Sequence, residues 1–270
     1  MRAGPGSTRR VWLTAVLAAG PSILRGPTAR GDEPLLVAAA ADLRFALDEI
    51  AAHYRAETGT SVRLVFGSSG NLARQIRQGA PFAIFLSADE AFVLDLARDG
   101  FTRDEGTLYA IGRLALLVPK GSPLAVDGTL EDLARAVRDG RLRRFAIADP
   151  THAPYGDRAR QVLRTKGIWE AIRPLLVYGE NVAQAAQFAT SGNAQGGIVA
   201  LSLALSPELR ARADHAPIAA EWHEPLRQRM VRLRGAGPAA DRFFAHLQSE
   251  EARTVLRRYG FLLPGEAVTE

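Results

Sequence analysis

Four short segments of the chain could together hold a small anion. Each lies where an apolar run gives way to a helical pattern. The segments are Ala40-Ala41-Asp42, Gly67-Ser68-Ser69-Gly70-Asn71, Pro154-Tyr155-Gly156 and Gly179-Glu180-Asn181-Val182. The first-turn amides of a helix lack partners and carry about half a positive charge, so each junction can bind an anion without a cation. Ser68 or Ser69 would add a hydroxyl donor, and glycine lets the backbone approach closely.

Any one of these junctions also has an ordinary explanation, because glycine and serine end strands and cap helices in most proteins. The set of four is more specific, since two fall in each half of the chain. Two α/β lobes that face each other with the carboxyl ends of their sheets would bring all four together. The residues alone therefore predict a binder of a small anion, without naming the anion.

The elements that would position these junctions alternate between strands and helices. Short apolar runs predict buried strands, and apolar residues three or four apart predict amphipathic helices. The predicted strands are 35–40, 62–66, 82–86, 114–118, 145–148, 197–200 and 229–233; the predicted helices are 43–57, 90–98, 130–137, 158–166, 182–190, 239–247 and 249–258, with one more around Leu72 and Ile76. Thr129 is predicted to cap the helix that starts at Leu130. This alternation is typical of an α/β fold with mainly parallel sheets flanked by helices.

Residues 1–30 have the pattern of an export signal. Arg2, Arg9 and Arg10 precede an apolar stretch over residues 11–24, and small residues around Ala29 offer a cleavage site. The stretch is too short to span a bilayer as a mature helix. The paired arginines also match a twin-arginine signal loosely. We therefore expect export to the periplasm, by the Sec or the twin-arginine route, and no membrane insertion after processing.

Composition and motifs exclude several classes of protein. The net charge of +5 falls to +1 when cleavage after Ala29 removes four arginines and no acidic residue, so charge does not indicate a nucleic-acid partner. The absence of cysteine excludes disulfides, thiol catalysis and a cysteine-anchored lipid. No phosphate-loop or dinucleotide motif is present, and no histidines have metal-ligand spacing. We expect no catalytic residue, no cofactor and no direct protein ligand to a metal ion.

Longer segments carry a more specific signal. They are VAAAADL (37–43), FGSSGNLARQI (66–76), GAP (79–81) with LSAD (86–89), ADPTHAPYG (148–156), GENV (179–182) and RYGF (258–261). In this order, and over nearly the whole mature chain, they resemble the periplasmic molybdate-binding proteins of ABC transporters, the ModA family. The resemblance implies a two-lobed type II periplasmic binding protein that holds a tetrahedral oxyanion in its interlobe cleft. We place lobe I in residues 31–112 and 229–270, and lobe II in residues 113–228.

The resemblance also implies the binding residues. By position, Ser69 matches a serine whose hydroxyl binds the anion, Tyr155 and Val182 match residues that donate backbone amides, and Asp42 falls on the ligand of the first loop. The anion would be molybdate or tungstate, with molybdenum held only as its oxyanion. The partner would be the permease of an ABC importer in the inner membrane, and the protein itself a monomer. A tyrosine that binds the anion in some members is replaced by Ala200.

Asp42 departs from the serine common in that family, and two interpretations stay open. Its carboxylate could cap the helix 43–57 while its backbone faces the ligand. Alternatively, the carboxylate points into the cleft, where a second anion beside a dianion is costly unless a proton or a cation lies between them. On the second interpretation, phosphate or another partly protonated oxyanion is the alternative ligand.

Two other classes of protein are alternatives, an enzyme and a sensor domain that can share this two-lobed fold. A serine hydrolase would prefer a G-x-S-x-G elbow, and the segment starting at Gly67 is one residue short of it. A sensor domain of a regulator would need an attached DNA-binding segment and a cytoplasmic location. We expect Arg74 to be solvated or to lie between the lobes, and His152 to lie near the rim of the cleft without binding the ligand.

Overall fold

The structure is a computed structural model that describes Met1, Gly4 and residues 34–266, so the predicted export signal of residues 1–30 lies outside the described residues apart from Met1 and Gly4. Within residues 34–266 the strands are β1 (Leu35–Ala40), β2 (Val62–Gly67), β3 (Ile84–Ser87), β4 (Thr107–Gly112), β5 (Leu114–Pro119), β6 (Phe145–Ala148), β7 (Leu176–Gly179), β8 (Gly197–Ala200), β9 (Ala213–Pro217) and β10 (Leu226–Arg232). The α-helices are α1 (Arg44–Thr58), α2 (Ser69–Arg77), α3 (Glu90–Arg98), α4 (Glu131–Arg138), α5 (Pro154–Thr165), α6 (Trp169–Ile172), α7 (Val182–Thr190), α8 (Leu201–Ala204), α9 (Pro207–Arg210), α10 (Pro238–His246) and α11 (Glu250–Arg258). None of the helices in this part of the chain is long and apolar enough to cross a membrane.

The strands divide into two five-stranded sheets. Their orders are β2-β1-β3-β10-β4 in the first sheet and β7-β6-β8-β5-β9 in the second. A single strand in each, β10 in the first sheet and β5 in the second, runs antiparallel to both of its neighbours. Each sheet is therefore mixed, with its other four strands running in one direction.

The chain passes between the two sheets twice. Strand β4 leads through Arg113 directly into β5, and residues 218–225 connect β9 to β10. Strand β10 begins at Leu226, before the strand start predicted at Arg229. Buried Leu226 and Gln228 alternate there with the more exposed Arg227 and Arg229. Three of the first four residues of β10 are charged or polar, so this part of the strand has no apolar run from which to predict it.

All four predicted junctions lie at the carboxyl ends of parallel strands. Strands β1 and β2 are neighbours in the first sheet, and β6 and β7 are neighbours in the second. Parallel neighbours end at the same edge of a sheet, so each sheet places two junctions side by side. The apolar cluster of the second sheet includes Ala40, Ala41 and Ala88 from the first sheet's loops, so the two edges are in direct contact.

Helix α4 begins differently from the prediction, which was wrong about its cap. The carboxylate of Asp127 accepts hydrogen bonds from the amides of Glu131 and Asp132 at 2.9 and 3.2 Å. Thr129 instead donates its hydroxyl to Asp127 at 2.6 Å. Leu130 adopts φ = 62°, and this left-handed turn lets the chain fold back so that Asp127 reaches the helix.

We expect Asp127→Ala to lower the free energy of unfolding by about 1 kcal/mol, because two first-turn amides lose their acceptor. Thr129→Ala removes one hydrogen bond from an exposed side chain and should change the free energy by less than about 0.5 kcal/mol. Urea unfolding followed by circular dichroism measures both values. A loss for Thr129→Ala as large as that for Asp127→Ala would contradict this assignment of the cap.

Candidate functional site

The four junctions and the end of β3 surround one small cavity. Its lining comes from both sheets: residues 40–42, 67–69, 88, 153–155 and 181–182. The volume accessible inside it is only about 10 Å³. This space fits a single small ion and is too small for a sugar or an amino acid.

Backbone amides at the starts of three helices around the cavity have no acceptor. The N–H groups of Ser69, Tyr155 and Val182 make no hydrogen bond within residues 34–266, although these residues are only 0%, 2% and 4% exposed. The two amides that follow Val182 are satisfied by the side chain of Asn181. A buried amide without an acceptor costs about 1–3 kcal/mol. Three of them around one cavity therefore indicate that the acceptor is a bound ligand.

The structure separates the roles of the two adjacent serines. Ser69 Oγ accepts a hydrogen bond from the amide of Ala88 at 3.0 Å, so its hydroxyl hydrogen remains free to donate into the cavity. Ser68 Oγ lies 2.9 Å from His152 Nδ1 and accepts from the amide of Asn71 at 3.4 Å as the cap of α2. Ser69 is therefore the hydroxyl donor that is available to a ligand.

No arginine, lysine or histidine is among the described residues that line the cavity. Arg74 is exposed and donates to the side chain of Asn71. His152 lies behind Ser68 and not in the lining. An anion in this cavity would be held by neutral donors and helix N-termini, which is sufficient for a dianion from which water is excluded.

Asp42 is the residue for which one interpretation from the sequence was wrong. Its side chain caps neither the 3-10 turn Ala41–Leu43 nor α1, so the capping interpretation fails. Its Oδ2 accepts instead from the Tyr155 hydroxyl at 3.0 Å and from Gln228 Nε2 at 2.6 Å. Tyr109 in turn donates to Gln228 Oε1 at 2.6 Å. Oδ1 of Asp42 is buried and has no hydrogen-bond partner of good geometry.

The surroundings of Asp42 favour its protonated form. Complete burial raises the pKa of Asp42 to about 6, and hydrogen bonds from Gln228 and Tyr155, with the nearby amides of Asp42 and Leu43, oppose this only in part. Burial, followed by the Asp42 carboxylate, raises the pKa of Tyr155 well above its ordinary value. The Tyr155 hydroxyl therefore stays a hydrogen-bond donor at any physiological pH.

Polar contacts join elements of the two sheets around the cavity, so the structure describes a closed arrangement. Besides the Asp42 contacts already given, these are Ser202 Oγ to Asp42 O (2.7 Å), Gly70 N to His152 O (3.0 Å), Asn71 Nδ2 to Glu180 Oε1 (3.0 Å) and Arg158 Nη2 to Asp89 Oδ2 (2.9 Å). The side chains of Arg158 and Asp89 are only 10% and 21% exposed, so water screens this pair weakly.

All four residues singled out from the sequence, Asp42, Ser69, Tyr155 and Val182, lie in the lining of this one cavity. Sequence reasoning missed the residues that support them, namely Tyr109, Ser202 and Gln228. Of these, only Gln228 could have been found from the sequence. It is an uncharged polar residue between two arginines, and extending the strand's alternation back to it predicts that its side chain is buried.

Comparison with known proteins identifies the family. The model of the bacterial extracellular solute-binding proteins matches residues 35–262. The chain belongs to this family. It is 35% identical over 239 residues to the molybdate-binding protein ModA of Rhodobacter capsulatus, which covers 87% of this chain and 90% of that protein. It is 30% identical over 258 residues to ModA of Escherichia coli K12, with 94% and 99% covered.

A solved structure confirms the fold of this solute-binding protein. The periplasmic molybdate-binding protein of Azotobacter vinelandii superposes with a TM-score of 0.77 at 29% identity, covering 85% of this chain and 99% of that one. The two-lobed type II fold and the family resemblance predicted from the sequence are both confirmed. These relatives are named as binding proteins.

We expect Gly70→Ala to hinder closure of this solute-binding protein. A Cβ atom at Gly70 would lie 2.8 Å from the carbonyl oxygen of His152 across the cleft. Overpacking of this kind costs about 1–3 kcal/mol, so the ratio of closed to open molecules should fall at least about fivefold. Small-angle scattering should show a larger radius of gyration.

Gly235→Ala is the matched control, because a Cβ atom there meets nothing within 4 Å. Alanine also favours the helical conformation at Gly70 by up to about 1 kcal/mol, so the Gly70 variant should not lose thermal stability. An unchanged radius of gyration in Gly70→Ala would show that this contact does not limit closure.

We expect Asp42→Asn to stabilise the protein at neutral pH. The pKa of Asp42 rises from 3.8 to about 6 on folding, so folding favours the protonated form and stability is lost as pH rises from about 4 to above 6. At about 1.4 kcal/mol per pKa unit, the loss approaches 3 kcal/mol. The variant should be more stable than the wild type at pH 7.5 and similar at pH 4, as measured by urea unfolding at both values. A wild-type advantage at pH 7.5 would contradict the raised pKa.

Proposed function

We propose that this chain is the periplasmic solute-binding component of an ABC importer and that it captures molybdate or tungstate in the cavity between its two sheets. The observation that carries the proposal is the set of unpaired amides at Ser69, Tyr155 and Val182, with the free hydroxyl of Ser69, around a cavity of ionic size. Among the described residues, these donors have no acceptor. A fully ionised tetrahedral oxyanion presents only acceptors and matches them.

The choice of molybdate among oxyanions rests on the relatives. Those at 35% and 30% identity are molybdate-binding proteins, as is the Azotobacter vinelandii protein of the same fold. Tungstate has the same charge and shape, so the donors named above serve both ions. The ligand is the transported oxyanion, and the protein supplies no catalytic residue and no cofactor.

The sheets and their helices form two lobes, residues 34–112 with 226–266 and residues 113–225, which move about the two connections between the sheets. The anion supplies acceptors to amides of both lobes at once, so its binding favours the closed arrangement. The closed form, as a monomer, then delivers the anion to the permease in the inner membrane. Residues 1–30 direct export, and the periplasmic relative from Azotobacter vinelandii supports this location.

Asp42 favours a second candidate ligand, phosphate or another partly protonated oxyanion. Asp42 is in the lining of the cavity, and one oxygen of its carboxylate has no partner. An ionised carboxylate can accept a hydrogen bond only from an anion that still carries a proton. The relatives at 35% and 30% identity are named for molybdate, so molybdate comes first.

We expect the mature protein to bind molybdate and tungstate tightly, and Ser69→Ala to lower the affinity for both by about tenfold to a hundredfold, since a hydroxyl donor to an anion is lost. Isothermal calorimetry with molybdate, tungstate, sulfate and phosphate gives the affinities. Ser61→Ala, an exposed serine away from the cavity, is the control that should bind as the wild type does.

Two results would count against the proposal in different ways. Tight phosphate binding without molybdate binding would favour the second candidate. No binding of any of the four anions would reject the oxyanion function altogether, provided that circular dichroism shows a folded protein.

A further inference from the structure

Asp42 is the one acidic residue among the described residues that line the cavity, and it is nearly inaccessible to water. It is 1% exposed, and its Oδ1 is buried without a partner. Because Asp42 lines this small cavity, an anion bound there lies close to its carboxyl group. Two negative groups at that distance repel strongly when water is excluded, and the repulsion favours protonation of the weaker acid.

Arginines on two of the nearest elements are already paired with carboxylates, while Arg113, between β4 and β5, forms no ion pair within residues 34–266. Arg227 and Arg229 of β10 pair with Glu90, and Arg158 of α5 pairs with Asp89. Each therefore faces another carboxylate. None of these cations shifts the pKa of Asp42, so none offsets its charge.

Most of the remaining elements around Asp42 supply neutral groups. Helices α7 and α8, which contact its turn, contain no charged residue. Tyr109 of β4 and Tyr155 of α5 remain neutral hydroxyl donors, because burial raises the pKa of each. On α1, Arg44 is exposed to water. The nearest histidine of the neighbouring loop is His152, whose Nδ1 contacts Ser68.

We propose that Asp42 takes up a proton when a fully ionised oxyanion enters the cavity, so that this protein captures its anion together with one proton. The inference rests on the proposed function and assigns a role to the residue that replaces the family's serine. It names a proton as the second species bound at the same site.

Protonation also makes Asp42 a hydrogen-bond donor, which this position of the site otherwise lacks. With a proton on Oδ1, the carboxyl group donates to an oxygen of the anion, while Oδ2 still accepts from Tyr155 and Gln228. A protonated carboxyl group then does what a serine hydroxyl would do there. Ionised, the same group presents only acceptors to an anion that also presents only acceptors.

The pH dependence follows from the direction of each change. Without the anion the pKa of Asp42 is about 6, and the bound dianion raises it further. At pH 5 the carboxyl group is protonated in both states, and binding takes up no proton. Between the two pKa values binding takes up as much as one proton, and the affinity falls by up to about tenfold for each unit of rising pH.

Calorimetry of the mature chain with molybdate tests this directly. Titrations between pH 6.5 and 8.0, each in two buffers that differ in ionisation enthalpy, give the number of protons taken up per anion. We expect at least about half a proton for the wild type at pH 7.5, an affinity that falls with pH, and no uptake by Asp42→Asn. The variant should also bind molybdate at least about tenfold more tightly than the wild type at pH 8.0.

Three variants make the result specific. Asp42→Ser is a second variant without an ionisable group and should also show no proton uptake, in case Asp42→Asn does not fold. Asp149→Asn repeats the same change at a carboxylate whose side chain is 35% exposed, and His152→Asn removes the nearest histidine. Both should keep the wild-type uptake.

Molybdate binding by the wild type without proton uptake would overturn the inference and leave the proposed function intact. Uptake that persists in Asp42→Asn and Asp42→Ser, or disappears in His152→Asn, would overturn it as well, because another group would then be the acceptor. If the folded wild type binds no molybdate at any of these pH values, the proposed function fails and the inference fails with it.

Discussion

The site depends on buried backbone amides that find no acceptor within residues 34–266. Helices α2, α5 and α7 each start at the cavity with one such amide, at Ser69, Tyr155 and Val182. An amide that is buried without an acceptor destabilises a protein by itself, so three of them can persist only where a ligand or water completes the bonding. The fold makes this arrangement by ending parallel strands at facing edges of two sheets, since every helix that follows such a strand begins there.

Closure of the two sheets adds a second constraint, which is centred on Asp42. The Tyr155 hydroxyl reaches this carboxylate from the second sheet, and Gln228 reaches it from the first. Gly112, where the chain leaves the first sheet, makes room for them, because a Cβ atom there would lie 2.3 Å from the Tyr155 hydroxyl oxygen. The connection between the sheets and the polar contact across the cleft are therefore packed against each other. A substitution at Gly112 would therefore alter both the connection between the sheets and the hydrogen bonding of the carboxylate beside the ligand.

Much of this could be predicted from the sequence, and the omissions have a common cause. The predicted inner strands formed, while β4, β7 and β9, which were not predicted, are all edge strands. An edge strand needs fewer buried apolar residues, and β9 accordingly contains Asp214 and His215. The four strand-to-helix junctions predicted which backbone segments surround the cavity. The direction of the Asp42 side chain did not, because it depends on Gln228, which is 186 residues away along the chain.

The neutral donors and the one ionisable group together explain why two kinds of oxyanion remained as candidates. With Asp42 protonated, every group around the cavity donates, and the site is complementary to an anion with no proton of its own. With Asp42 ionised, one acceptor stands among the donors, and the complementary anion is one that still carries a hydrogen. The protonation state of a single buried carboxyl group therefore selects between the two ligand chemistries. Burial, opposed in part by hydrogen bonds, brings the pKa of Asp42 to about 6. The charge of a bound dianion acts in the same direction, towards the state in which every group donates.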